Sequence, residues 1–222
     1  MRAIKWLLIV AVVVVALPLL LTVLYRFEFV RPVSALMVTN KVAGEPVSRL
    51  WVEIDDVSPN LKYAVLMSED GQFCNHHGID FGELKGVIER ALDGEVTRGA
   101  STITMQTAKN LFLWGGRSYI RKALEFPLAV WIDLVIPKKR IMEIYLNIAE
   151  WGPGIYGADQ AAGFHFGKNA DELSRREGAL LAVTLPNPYV RDPSRPSQRL
   201  NNVARVIERR ARQSGGFVDC LD

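Results

Sequence analysis

SPNLKYAVLMSEDGQFCNHHGID, Ser58 to Asp80, is the stretch that sets the fold. Ser58 followed by Pro59 reads as a helix N-cap with proline at the first helical position. Leu61, Ala64, Val65 and Met67 follow as the apolar positions, and the run ends on Glu69-Asp70 before a loop rich in Gly and His. A helix therefore delivers two adjacent carboxylates into a loop. The apolar turn before Glu69 puts that carboxyl at the edge of the core. Partial desolvation there raises its pKa and makes it a better base. A plain charged helix end is the competing reading.

The helical period continues downstream. Asp80-Phe81-Gly82-Glu83 is a capping-box variant, with Leu84, Val87, Ile88, Ala91 and Leu92 behind it and Gly94 as the stop. Ser118 opens another helix, in which Pro127 is expected to force a kink or a restart. After Pro137, the positions Ile141, Ile144, Tyr145 and Ile148 form a core face, broken by Gly152-Pro153-Gly154. Ser174 to Glu177 is a full capping box opening an apolar helix to Leu185. Four prolines from Pro186 to Pro196 make an extended connector, and Leu200, Val203 and Ile207 mark a last helix. No strand-rich region competes, so the predicted class is all-α, one helical domain over residues 58–222.

Upstream, WLLIVAVVVVALPLLLTVLY, Trp6 to Tyr25, carries no charge in 20 residues. That is about the length a membrane-spanning helix needs. Arg2 and Lys5 precede it, and Arg26 and Arg31 follow. A cleavable signal peptide would have a shorter apolar region and a small-residue site, which this run lacks. The expected organisation is a tip at 1–5, an anchor at 6–25, a linker with a short strand at 26–57, and then the domain.

Composition narrows the chemistry. A formal net charge of +3 in 222 residues, without a Lys/Arg run, gives no support for nucleic acid. There is no GxGxxG, no GxxxxGK[ST] and no CxxC, so an organic cofactor, a nucleotide and a zinc knuckle have no sequence support. His76 and His77 are adjacent and point different ways, which is poor metal-ligand spacing.

Three further stretches concentrate chemistry. RGASTITMQTAKN, Arg98 to Asn110, combines small residues, the hydroxyls of Ser101 and Thr102, and the polar Gln106 and Lys109 on a helix face. Those groups suit an anionic, oxygen-rich ligand. A Ser101 N-cap on a polar helix is the bland alternative. GGRSYIRKALEF, Gly115 to Phe126, brings Arg117, Arg121 and Lys122 within six positions, which suits a diphosphate. Arg121 and Glu125 could equally be an ordinary i,i+4 pair. KKRIMEIYLNIAEWGPGIYGADQAA, Lys138 to Ala162, ends a helix on Asn147, Glu150 and Trp151, a candidate cleft wall.

In this order the four stretches resemble the successive motifs of the peptidoglycan glycosyltransferases, glycosyltransferase family 51. The likeness runs from about Leu50 to Val190. The first motif corresponds to Glu69, Asp70, Phe73, His76 or His77, Gly78 and Asp80. The second, usually GASTITQQ, is GASTITMQ here, with Met105 replacing the first Gln. The third is Arg121, Lys122 and Glu125. The fourth runs from Lys138 or Lys139 to Asn147, and Leu185 to Pro188 resembles the last.

The resemblance implies a lysozyme-like helical fold that polymerises lipid II into β-1,4-linked glycan, with the growing strand as second substrate and the membrane as the surface of action. It implies a catalytic domain outside a bacterial inner membrane, with other cell-wall synthesis proteins as candidate partners. Glu69 and Glu125 become the candidate catalytic residues. Asp70, Ser101, Thr102, Gln106, Lys109, Arg117, Arg121 and Lys122 become the candidate substrate-binding set. A divalent cation, Mg²⁺ or Mn²⁺, is expected to assist at the phosphates. A glycan-cleaving enzyme of similar fold is the nearest rival, and a non-catalytic scaffold the next. Cys74 and Cys220 could form a disulfide outside the membrane; the preferred reading is two unpaired cysteines, because a bridge would tie the first motif to a terminus that normally frays.

Overall fold

The computed structural model describes residues 2–95, 99–116 and 118–221. Helix accounts for 63% and strand for 3%, so the all-α class read from the period holds. Helix α1 (Arg2–Tyr25) carries the apolar run, with Pro18 inside it. Its stretch Ile4–Tyr25 has a mean hydropathy of 3.2 and is 6% buried, so it is no core helix. It is the one helix among the described residues that is long and apolar enough to cross a membrane. Its C-terminal end docks on the domain. Trp131 donates to the Leu19 carbonyl at 3.2 Å, and Arg140 donates to the carbonyls of Tyr25 and Phe27, each at 3.0 Å.

The next segment forms α2 (Ala35–Val42), capped by the Ser34 hydroxyl, and strand β1 (Ser48–Arg49). There follow α3 (Pro59–Glu69), α4 (Phe81–Leu92), α5 (Ile103–Phe112), α6 (Tyr119–Val135) and α7 (Lys138–Ile148). Strands β2 (Glu150–Gly152) and β3 (Ile155–Tyr156) close a hairpin, and β1 adds parallel to β3. Gly152-Pro153-Gly154 is thus a turn, not merely a helix break. Gly154 has φ +73°, and a Cβ there would meet the Pro46 carbonyl at 2.4 Å. The chain ends in α8 (Ala158–Phe166), α9 (Arg175–Ala182) and α10 (Gln198–Arg212).

The core forms around α7, which buries every residue from Arg140 to Ile148. α3 packs against α9 and α10, and α5 packs against α6 and α7. Ser174 and Glu177 make the expected reciprocal cap, although α9 stops at Ala182, short of Leu185. α6 runs unbroken through Pro127 and does not restart there. α4 is amphipathic in sequence but stands off the core, with Phe81, Ile88 and Leu92 exposed.

The reading of the cysteines is corrected. Cys74 and Cys220 form a disulfide with a sequence separation of 146. The terminus that should fray is instead a 3₁₀ helix, Gly215–Leu221, with Val218 and Leu221 buried in the core, so it reaches Cys74 as a packed element.

Candidate active site

Glu69 closes α3, whose Leu61, Ala64, Val65 and Leu66 are fully buried. The helix cannot run on, because Asp70 leaves helical geometry (φ −163°, ψ 73°) and its N–H caps the Leu66 carbonyl at 2.8 Å. Burial raises the Glu69 pKa. Hydrogen bonds from Gln106 and Ser68 and the charges of Arg191 and Lys109 partly oppose it. Gln106 Nε2 donates to Glu69 Oε2 at 3.0 Å.

Asp70, expected to bind substrate, has its carboxylate already occupied. It accepts from the Ile103 N–H at 2.8 Å, at the start of α5, and from His76 Nε2 at 2.9 Å. A carboxylate on the first N–H groups of a helix is favourable both as a charge-assisted bond and against the helix dipole. The choice between the histidines is resolved in the same contact. His76 is buried on Asp70, whereas the His77 side chain is 99% exposed. Lys138 braces this loop from α7, donating to the His76 carbonyl at 2.7 Å and lying 4.5 Å above the Phe73 ring.

The N-cap of α5 is Thr102, not Ser101. Its hydroxyl accepts from the Met105 N–H at 3.1 Å and donates to the Gly78 carbonyl at 2.6 Å. Gly78 must be glycine, since φ is +82° and a Cβ would lie 2.6 Å from the Ala129 carbonyl. Met105 is completely buried in an apolar cluster with Ile79 and Ala129. The replacement of an amide by a thioether at this position is therefore a packing feature, outside the cleft.

Ser101 accepts from Lys122 Nζ at 2.7 Å, and the same ammonium lies 3.0 Å from Glu125 Oε2. Arg121 bonds the other Glu125 oxygen. Glu125 is 3% exposed, so this is no surface helix pair. Lys109 faces the same cluster. Its pKa is lowered by burial first and then by Arg121 and Lys122, with Glu125 and Glu69 opposing. Arg98 and Arg117 lie outside the described residues.

The Glu69–Gln106 bond links residues that line two separate clefts. One, of about 410 Å³, is lined by Glu69, Ser101, Thr102 and, from the C-terminal segment, Arg210 and Phe217. The other, of about 240 Å³, is lined by Gln106, Lys109, Tyr145 and Glu150. Of the three residues read as a cleft wall, Glu150 alone lines it. Asn147 and Trp151 are fully buried, and Asn147 bonds the Val52 backbone through both its amide oxygen and its nitrogen. Among the described residues no group of three or more His, Cys, Asp or Glu is arranged to hold a metal ion. Glu125, the acid among the cations, is already saturated by Arg121 and Lys122. Among the described residues these side chains do not fit a protein-held divalent cation.

Sequence reasoning missed Arg191, which acts on Glu69 from the proline-rich connector, and the C-terminal wall of the larger cleft. Neither carries a local pattern. Both depend on where the chain returns.

The family model described as transglycosylase matches residues 36–212. A biosynthetic peptidoglycan transglycosylase of Mesorhizobium japonicum is 58% identical over 216 residues, 97% of this chain and 92% of the relative. That of Rhizobium meliloti is 58% identical over 208 residues, covering 94% and 88%. That of Brucella suis is 54% identical over 212 residues, covering 96% and 95%.

Proposed function

Because the chain belongs to the peptidoglycan transglycosylase family, and so is a glycosyltransferase, we propose that it polymerises lipid II, with Glu69 as general base. The acceptor sugar's 4-hydroxyl oxygen attacks the donor's anomeric carbon. The bond from that carbon to the diphosphate breaks, and its electron pair leaves on the diphosphate oxygen. The hydroxyl proton goes to Glu69. Attack opposite an α-linked diphosphate gives a β-1,4 bond with inversion and no covalent intermediate.

One observation carries this reading. A partly buried carboxyl of raised pKa lines the cleft that also holds the Ser101 and Thr102 hydroxyls, and the cations Lys109, Arg121 and Lys122 gather beside it. A base poised nearer neutrality removes a proton well and remains ionised enough to do so. Lys109, Arg121 and Lys122 suit a leaving diphosphate, and Arg117 adds to them by sequence. A glycan-cleaving enzyme would need an acid beside an uncharged glycosidic oxygen and would have no use for those cations. Asp70 and Thr102 serve this site by fixing the first-motif loop against α5. Glu125 holds Arg121 and Lys122 toward the diphosphate.

We further place α1 across the inner membrane with the domain on the periplasmic side. The Cys74–Cys220 bridge supports that side, since disulfides persist in oxidising compartments. Tethering enzyme and lipid-borne substrate to one surface raises their effective concentration.

The test is to incubate the purified protein with lipid II and separate polymer from substrate. Polymer that a β-1,4-specific muramidase digests, formed with release of the lipid diphosphate, supports the reading. Unchanged lipid II, alongside cleavage of preformed glycan, contradicts it.

A further inference from the structure

Tyr145 sits on α7 and is 1% exposed, on a face that sequence reads as core. It does pack in the core, yet its hydroxyl is not idle. Tyr145 Oη donates to Gln106 Oε1 at 3.2 Å, and Gln106 Nε2 donates to Glu69 Oε2 at 3.0 Å. We infer that Tyr145 is a positioning residue for Glu69, acting through Gln106 to set which end of the amide faces the carboxylate. The inference deepens the proposed function and rests on Glu69 being the base.

The physical argument concerns a two-ended group. A glutamine amide presents either a donor or an acceptor to its neighbour. With the NH₂ toward Glu69, the amide stabilises the ionised carboxylate. With the oxygen toward it, the amide stabilises the protonated acid. Tyr145 breaks that symmetry. Burial and the nearby Glu69 and Asp70 charges push its pKa well above the ordinary value, so it keeps its proton as a donor. A buried O–H without an acceptor is costly, so the phenol claims Oε1 and leaves NH₂ for Glu69. Removing the hydroxyl frees the amide to turn when Glu69 is protonated, which raises the pKa of the base.

Other charges face Glu69, and none of them is changed by removing one hydroxyl. The cations are Lys109 from α5, Arg191 from the connector and Arg210 from α10, which lines the same cleft. The acids lining that cleft are Asp70, Asp80 and Glu83. A displacement of the pH profile in Tyr145→Phe is therefore attributable to the relay.

The experiment is the pH dependence of lipid II polymerisation by the full-length protein, compared for wild type, Tyr145→Phe, Gln106→Leu, the double variant and Glu69→Gln. Tyr145→Phe should move the acid limb upward by about half to one pH unit, the worth of one hydrogen bond. The rate on the alkaline plateau should stay within a few-fold of wild type. Gln106→Leu should move the limb at least as far, and adding Tyr145→Phe to it should move it no further. A limb unmoved in Tyr145→Phe or in Gln106→Leu overturns the inference. So does an even loss of rate at all pH values, or an equal displacement by Tyr145→Phe in the Gln106→Leu background. Near-normal turnover in Glu69→Gln would instead overturn the base assignment on which the inference stands.

Discussion

At the scale of single residues, the site is decided by burial. Glu69 and Glu125 are both carboxyls at helix positions that sequence could have left on a surface; Glu125 is buried and Glu69 partly so. Their neighbours make them differ. Glu69 has one amide donor and raised basicity, while Glu125 has two cations and serves as their anchor. Glu125→Gln leaves Arg121 and Lys122 with less compensation, which should cost about 1–3 kcal/mol of stability. It should also lower turnover about tenfold or more, measured at a temperature where the variant is fully folded. Full turnover there would make Glu125 purely structural. Lys109→Ala should behave differently. Its ammonium is half-buried and crowded by Arg121 and Lys122, so its loss relieves repulsion and should leave the melting temperature nearly unchanged. Loss of one cation from the leaving-group side should reduce polymerisation by about 10²-fold or more. The base itself predicts a pH dependence. As the proposed base, Glu69 would act when ionised, and burial raises its pKa, so activity should fall as pH drops through a pKa above the ordinary glutamate value. A rate that holds down to the ordinary range would contradict this. Much of the residue-level site was legible, because acid, hydroxyl and cation types are visible in sequence. Tyr145 was not, since a hydroxyl on an apolar helix face looks the same whether or not a partner waits for it.

At the scale of elements, long helices with caps were readable. Ser58, Asp80, Ser118 and Ser174 each cap the helix that their side chains announce. Strands of two or three residues, as in β2 and β3, carry no period to detect, whereas β1 lies in the segment where a short strand is expected. α2 lies in a mixed segment and is only eight residues long. The disulfide has no signal in the sequence, because the last residues look like free chain until Val218 and Leu221 are seen buried in the core. The bridge fixes the loop after Glu69 to the wall that carries Phe217. Removing a native bridge typically costs about 2–5 kcal/mol, and a long closed loop such as this favours the upper part. Cys220→Ser should therefore lower the melting temperature by about 5–15 °C, and a thiol reductant should do the same to wild type. Thermal melts checked by circular dichroism would read it, and identical melts would mean that the bridge contributes nothing to the folded state.

At the scale of the whole molecule, an apolar helix and a helical domain meet at a defined joint. Trp131 and Arg140 grip the backbone at the end of α1, so the domain docks on the C-terminal end of that apolar helix. Under the proposed function, the clefts, the cations and Glu69 would work on a substrate held in the same membrane surface. The most direct test is a paired measurement on full-length Glu69→Gln in vesicles: lipid II polymerisation, and binding of a non-transferable diphosphate-lipid analogue. Glutamine keeps the size and hydrogen bonding of the side chain and removes its basicity. Polymer formation should fall by about 10²–10⁴-fold while analogue binding stays near that of wild type. Near-normal polymerisation, or loss of binding in step with activity, would contradict the account.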